Sequence, residues 1–246
     1  MSLSSLQSYL QDDEWLTGLF QRKVYRLKVE RDLIETQDSL IRDLSETLRQ
    51  GKVFCYSKVG TADLSGIGFL ESLRFNLIEA NVTLKKKIGT PVGAAQEVNV
   101  RFAQDQDREG VRTMGAHNFT YSRFHMDPLI PRDLANEVKA CWAENFFLKK
   151  RGDNMVVAIK DSSPAGFLQL LYSGKDLVID LIAVEEKFRR MGIARAMIHF
   201  AETALRGFEE IAVGTQIANV PSIRLYEKLG FRVASSVYTF HYHHFS

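Results

Sequence analysis

The chain has 246 residues, of which 45% are hydrophobic and 25% charged, and its formal net charge at pH 7 is +2. This length allows one large core or two modest ones, and the charged fraction suits a soluble protein. A charge so near zero, with lysines and arginines spread along the chain, argues against a nucleic-acid-binding or membrane-binding surface. No run resembles a signal peptide or a membrane span, and Cys55 and Cys141 are expected as reduced thiols, so a cytoplasmic protein is expected.

Residues 1–96 are expected to form a small βαβαβ unit. Three runs have strand character, separated by two stretches with helical spacing of apolar residues. The strands are VYRLKV (24–29), VFCYSKV (53–59) and LIEANVTLKKKI (77–88), and the helices cover about 39–51 and 62–73. The small-residue stretch GTPVGAAQ at 89–96 reads as a linker. Two domains, 1–96 and 97–246, are therefore predicted.

The second half begins with the strand VNVRFA (98–103) and a short helix interrupted by glycines, and then a polar and aromatic segment covers 118–131. Pro128 and Pro131 predict that this segment is a loop. Its side chains offer aromatic faces and a guanidinium, which suits a wall around a ligand, although a connecting loop is the alternative. The candidate side chains are Tyr121, Arg123, Phe124 and His125.

A helix is predicted over 132–149, because Leu134, Val138, Trp142 and Phe146 form one apolar stripe. Asn145 falls near that stripe, where it is either a satisfied buried amide or a group that reaches into a pocket. Three strands follow, and the last of them, LVIDLIAV (177–184), is apolar enough to be central and buried on both faces. Asp180 interrupts this run, so it is either a base with a raised pKa or the partner of a nearby donor.

An apolar strand breaks into a turn at RRMGIA (189–194) and then opens a helix at Gly192. The glycine lets the backbone turn, while the first N–H groups of the helix remain free to bind an anion. An ordinary strand–turn–helix corner with exposed arginines is the alternative.

The last helix begins near Asn219 and Pro221, with Asn219, Ser222 and Tyr226 on one polar face. The chain closes with a strand that carries His241, His243 and His244. Histidines at this spacing can bind metal, but an exposed strand face is more common, so no metal site is predicted.

The pair RRMGIA (189–194) and ANVPSIRLYEKLGF (218–231) resembles the GCN5-related N-acetyltransferase (GNAT) superfamily over residues 97–240. The resemblance implies an α/β fold with a mixed central sheet flanked by helices, preceded here by the smaller βαβαβ half-domain. It also implies acetyl-CoA as co-substrate and direct acetyl transfer, with Tyr226 as general acid and Asp180 as a weak candidate for the base. The implied cofactor contacts are Ile182, Ala183, Val184, Arg189, Arg190, Met191, Gly192, Ile193, Ala194, Asn219 and Ser222.

Pieces of the first half, together with TYSRFHMDP (120–128) and WAEN (142–145), resemble the dTDP-fucosamine acetyltransferases within that superfamily. This resemblance implies a small nucleotide-linked amino-dideoxy sugar as substrate and a role in polysaccharide biosynthesis, with a homodimer as a further possibility. The implied substrate contacts are Tyr121, Arg123, Phe124, His125, Trp142 and Asn145. Two alternatives are an N-acetyltransferase of protein N-termini or polyamines, and a CoA-binding regulatory module without catalysis.

Overall fold

The computed structural model describes residues 6–35, 38–89 and 98–246, so the predicted linker lies, apart from Gly89, outside the described residues. Within these ranges ten strands form one mixed sheet in the order β1-β2-β3-β10-β4-β9-β8-β7-β6-β5. The strands are β1 (Leu10–Asp12), β2 (Lys23–Leu27), β3 (Val53–Gly60), β4 (Asn76–Lys87), β5 (Asn99–Phe102), β6 (Asn154–Lys160), β7 (Ser163–Ser173), β8 (Asp176–Val184), β9 (Glu210–Gln216) and β10 (Arg232–His244).

Nine α-helices accompany the sheet in the described part of the chain. They are α1 (Glu14–Phe20), α2 (Arg31–Ile34), α3 (Asp38–Leu48), α4 (Leu64–Ser72), α5 (Arg108–His117), α6 (Arg123–Met126), α7 (Arg132–Glu144), α8 (Ile193–Ala204) and α9 (Val220–Lys228). In none of these helices is the apolar stretch long enough to cross a membrane.

The two halves of the chain share the sheet. The βαβαβ order expected in the first half is confirmed as β2, α3, β3, α4 and β4. However, β10 from the end of the chain inserts between β3 and β4, and β4 pairs antiparallel with β9. Because the sheet runs without a break across both halves, the division at residue 96 stays a prediction.

Helices cover both faces of β8, as expected for a central strand. Leu177 and Ile179 pack with α8, whereas Leu181 and Ala183 pack with α5 on the opposite face. This change of face occurs at a β-bulge, since Gln169 pairs with Leu181 but Leu170 pairs with Ile179, leaving Asp180 without a partner in the register.

Three local predictions need correction. The helix α5 is not broken by its glycines: at Gly115 a Cβ would lie 2.8 Å from the Lys139 carbonyl oxygen, so the missing side chain lets α5 and α7 pack closely. The expected loop at 118–131 contains the single helical turn α6. Finally, α7 ends at Glu144 with Asn145 as its C-cap, before the predicted end at 149.

Candidate active site

A cavity opens where β8 and β9 separate. The two strands pair in parallel only from Asp176–Ile179 and Glu210–Val213, and beyond that point β8 continues to Val184 while β9 continues to Gln216. The gap between them holds a cavity of about 640 Å³ that is lined by both strand ends, by the start of α8 and by α9. The bulge at Asp180 lies at the point of separation.

Two backbone N–H groups of β8 point into this gap. The Glu185 N–H donates to the Ala165 carbonyl on the β7 side. Hydrogen bonding alternates from side to side along a strand, so the N–H groups of Val184 and Ile182 face away from β7 and toward the cavity. A carbonyl oxygen placed between the diverging strands would therefore meet fixed donors.

The turn before α8 has the geometry of an anion site. Arg190 and Gly192 both adopt left-handed conformations, at φ 65° and 73°. Gly192 is the N-cap of the 12-residue helix α8, and no side chain caps its first turn, so the N–H groups there are open to a ligand. Arg189 is held in place by the Val184 carbonyl and by Asn118 Oδ1, at 3.3 and 3.0 Å. This arrangement fits a pyrophosphate.

The cavity lining includes the residues expected around this turn, with one exception. Arg189, Arg190, Gly192, Ile193 and Ala194 contribute to the wall. Met191 does not, because its exposed side chain turns outward to Lys160, whose Nζ lies 3.4 Å from the sulfur.

Replacing Gly192 with aspartate is expected to weaken acetyl-CoA binding more than tenfold. The change adds a carboxylate and a Cβ where φ is 73° and where the pyrophosphate is expected. Tenfold corresponds to about 1.4 kcal/mol and is measurable by isothermal calorimetry. Gly174→Asp is the matched control, since Gly174 also has positive φ but lies in the β7–β8 turn, where an added Cβ would meet no atom within 4 Å. Equal losses in both variants would show a general backbone effect and refute a pyrophosphate site at Gly192.

Tyr226 extends the wall on the α9 side. The side chain is 2% exposed, packs against Phe231 and lines the cavity. Burial raises the pKa of Tyr226, so the hydroxyl keeps its proton at neutral pH. Among the residues that the structure describes, none hydrogen-bonds to this hydroxyl, which leaves the proton available to a bound ligand. Asn219 and Ser222 also line the cavity, and the Asn219 side chain accepts from the Ser222 N–H to cap α9.

Asp180 is the partner of nearby donors, which is the second of the two roles expected for it. Arg151 donates to both of its carboxylate oxygens, at 2.7 and 2.6 Å. Trp142 Nε1 and Gln169 Nε2 donate to Oδ2 as well, at 2.8 and 3.1 Å. A carboxylate held by four hydrogen bonds would have to break them to accept a proton, so this arrangement favours an anchor for the neighbouring side chains over a base.

The loop predicted as a ligand wall contributes only in part. Tyr121 lines the cavity, whereas Arg123, Phe124 and His125 do not. Phe124 is 1% exposed within a core cluster, so it has no free face for a ligand. His125 bonds to Ser122 and Asn136, and Arg123 lies over the Tyr56 ring at 3.9 Å.

Trp142 and Asn145, the two substrate contacts predicted on or near α7, also lie outside the cavity lining. Trp142 donates to Asp180 and packs edge-on against Trp15, and Asn145 is buried as the C-cap of α7. Neither lines the cavity.

Lys139 is a cavity residue that the sequence interpretation missed. Its side chain is on α7, is 9% exposed, and lines the cavity. Glu79 on β4 lies within electrostatic reach of Lys139; it is 8% exposed, its Oε2 has no hydrogen-bond partner among the described residues, and burial raises its pKa. The available signal was a lysine adjoining an apolar helical stripe, between Ala135 and Trp142 at positions i−4 and i+3.

Two of the three histidines of β10, His241 and His243, are not on an exposed face, contrary to the prediction. His241 and His243 are buried, and both donate to Asp127 Oδ2, at 2.6 and 2.7 Å. Their other ring nitrogens lie 3.4 Å from Arg123 and 3.0 Å from Arg22. Because arginine only donates, those nitrogens accept, which fixes both tautomers. Asp127, His241 and His243 together could ligate a metal ion, but their hydrogen bonds to one another and to the two arginines already satisfy them.

Comparison with known proteins agrees with this geometry. Residues 120–231 match the acetyltransferase (GNAT) family. The chain is 27% identical to the spore coat polysaccharide biosynthesis protein SpsD of Bacillus subtilis (strain 168), over 97% of this chain and 84% of that protein. It is 24% identical to the dTDP-fucosamine acetyltransferase of Escherichia coli O6:H1, over 74% of this chain and 78% of that protein.

Among solved structures, the tandem GNAT protein from the clavulanic acid biosynthesis pathway has a TM-score of 0.60 at 12% identity, covering 89% of this chain and 75% of that one. This likeness supports the same fold. The separated ends of β8 and β9 and the uncapped helix at Gly192 all lie within the residues that match the family. Residues 120–231 belong to a GNAT acetyltransferase domain, and the protein is an N-acetyltransferase that uses acetyl-CoA.

Proposed function

We propose that this enzyme acetylates the amino group of a nucleotide-linked amino-dideoxy sugar of the dTDP-4-amino-4,6-dideoxyhexose type. Two relatives that cover most of the chain carry names that refer to polysaccharide biosynthesis and to dTDP-fucosamine. Both matches extend beyond residues 120–231, so the likeness includes part of the first half of the chain as well as the catalytic domain.

A cluster of cations beside the cavity is the observation that carries this proposal. Arg26 on β2 pairs in register with Tyr56 on β3, Arg123 lies over the Tyr56 ring, and Lys58 is two residues further along β3 on the same face. Arg26 and Lys58 are exposed, and neither has a hydrogen bond or an ion pair with any residue in the described ranges.

Two cations of the cluster, Arg123 and Lys58, lie within electrostatic reach of the cavity wall. The charges of Arg123 and Lys58 both lower the pKa of Lys139 in the cavity wall, which places them within electrostatic reach of it. Arg26, Lys58 and Arg123 together offer the cationic groups that would bind the diphosphate of a nucleotide sugar. A cationic polyamine would be repelled there, which disfavours that alternative.

Different residues of the chain serve different steps of acetyl transfer. Bound acetyl-CoA supplies the acetyl group as a thioester. The N–H groups of Ile182 and Val184 polarise its carbonyl, and the turn at Gly192 holds its pyrophosphate. Tyr226 gives its proton to the departing sulfur. The acceptor amine attacks directly, with no acyl-enzyme.

The test is release of free thiol from acetyl-CoA with dTDP-4-amino-4,6-dideoxygalactose, spermidine and a short peptide as separate acceptors. Thiol release with the sugar nucleotide alone is expected. Faster turnover of spermidine or the peptide would replace the proposal with the corresponding alternative. Acetyl-CoA binding without turnover of any acceptor would favour a regulatory module.

Lys58→Glu is expected to raise KM for the sugar nucleotide at least tenfold and to leave KM for acetyl-CoA unchanged. The substitution reverses one charge of the cation cluster, and the two substrates contact different elements. Lys58 is preferred to Arg123 because Arg123 also contacts His241 and the Phe124 ring, so its loss would disturb the fold. Steady-state kinetics with each substrate varied in turn provide the measurement.

Lys52→Glu is the control for this change. Lys52 is exposed and lies immediately before β3, at the opposite end of that strand from Lys58. A similar KM in both variants, or an equal rise for both substrates, would contradict a phosphate contact at Lys58.

A further inference from the structure

We propose that Lys139 is the general base that removes the proton from the acceptor nitrogen during acetyl transfer. The proposal rests on the acceptor of the proposed function being an amine, and it does not depend on which sugar carries that amine. Three features of the molecule support it: the set of groups that reach the cavity, the packing that holds Lys139, and the charge that this side chain carries.

Elimination among the cavity residues leads to Lys139. Asp180 is occupied by four hydrogen bonds, and Tyr226 provides the proton for sulfur. The arginines of the wall stay protonated and cannot accept a proton. Among the described lining residues, the remaining ionisable groups are Tyr121, exposed at the margin, and Lys139, which is buried.

The surroundings of Lys139 fix its position and leave its amine free. Its Nζ lies 5.0 Å from the centre of the Phe119 ring and 4.5 Å from that of Trp142. The close packing of α5 at Gly115 against the Lys139 backbone holds α7 in place. Within the described ranges Nζ has no hydrogen bond and no carboxylate within ion-pair distance, so an acceptor in the cavity is its natural partner.

The charges around Lys139 allow a neutral amine near physiological pH. Burial lowers the pKa of Lys139 to about 8. Asp180 on β8 and Glu79 on β4 oppose this change, whereas Arg123 on α6 and Lys58 on β3 add to it. His125 on α6 also lies within reach of the Lys139 charge. A base with a pKa close to the working pH is well matched to proton transfer.

Lys139, Tyr226 and water account for every proton that moves during the transfer, so no other reactant is needed. As the bond from the acceptor nitrogen to the acetyl carbon forms, one N–H bond of that nitrogen breaks and its proton passes to the lone pair on Lys139 Nζ. The C–S bond of the thioester breaks, and Tyr226 gives its proton to the sulfur, so that CoA leaves as the free thiol. Transfer of one proton from Lys139 to Tyr226 through water then restores both side chains.

Two substitutions separate a base from a simple cation. Lys139→Gln and Lys139→Arg are both expected to lower kcat at least 10²-fold with acetyl-CoA affinity unchanged, because neither side chain can accept the proton. The rise in kcat with pH near 8 should disappear in both. Recovery of activity in Lys139→Arg would show that only the positive charge is needed, and would overturn the proposal. Lys52→Gln serves as the control.

A second measurement needs no acceptor and so distinguishes failure of this proposal from failure of the proposed function. Trace labelling of the enzyme with acetic anhydride across a pH series, read for each lysine by mass spectrometry, reports how much of each amine is neutral. Lys139 is expected to reach half-maximal labelling near pH 8, below the ordinary lysine value of about 10.4. A Lys139 profile centred at that ordinary value would refute the proposal even if the sugar nucleotide is acetylated.

Discussion

Replacing Tyr226 with phenylalanine is expected to lower kcat about 10²-fold and to leave acetyl-CoA affinity nearly unchanged. The phenylalanine ring preserves the contact with Phe231, 5.5 Å between ring centres, so the fold and the cavity wall should persist. Only the hydroxyl is lost, and with it the proton for the departing sulfur. Thiol release gives kcat, and calorimetry with acetyl-CoA gives the affinity.

Tyr172→Phe is the matched control for the loss of a hydroxyl. Tyr172 lies on β7, and its hydroxyl donates to the Arg206 carbonyl, away from the cavity lining. This variant should keep full kcat. If Tyr226→Phe also kept full kcat, the hydroxyl would have no chemical role and the proton on sulfur would have to come from solvent.

Much of the catalytic half was predictable because its signals are local. The strand, turn and helix around Gly192 follow from an apolar run, a glycine with positive φ and renewed helical spacing, all within about a dozen residues. The polar face of α9 with Asn219 and Tyr226 follows from helical period alone. The residues that form such features lie close together in sequence, so the local pattern alone predicts which side chains share a face.

The relation between the two halves was not predictable in the same way. Insertion of β10 between β3 and β4 joins residues about 180 positions apart, and no periodicity within either segment selects that pairing. The wrong prediction for His241 and His243 has this origin. Their strand was identified correctly, but Asp127, 114 and 116 residues away, supplies the acceptor that makes burial possible.

The roles of Asp180 and Lys139 also depend on partners distant in sequence. Asp180 is unusual as a carboxylate in an apolar strand, yet only the fold shows that Arg151 and Trp142 donate hydrogen bonds to it. The sequence pattern does not distinguish Lys139 from other lysines, because a lysine on a helix is ordinarily solvated. Its burial results from the contact between α5 and α7 and from the sheet beneath.

Replacing Asp127 with alanine is expected to reduce the free energy of unfolding by about 3–5 kcal/mol. Burial raises the pKa of Asp127, but the hydrogen bonds from His241 and His243 outweigh this and hold it well below its ordinary value, so the residue is a carboxylate at pH 7. Its removal leaves two buried imidazole N–H groups without an acceptor, and it deprives Arg22 of a nearby negative charge. Urea unfolding at pH 7, followed by circular dichroism, measures the loss.

Two further variants show whether this loss comes from the histidine network. Asp127→Asn retains one acceptor oxygen at the same place, so it should lose less stability than Asp127→Ala. Asp105→Ala removes an exposed carboxylate that has no side-chain bond to any described residue, and it should change stability by less than about 0.5 kcal/mol. The network ties the loop before α7 to the last strand of the sheet, and His241 in turn contacts Arg123 on α6. A loss below about 1 kcal/mol in Asp127→Ala would mean that hydrophobic packing around Phe54 and Phe124 alone holds this loop in place.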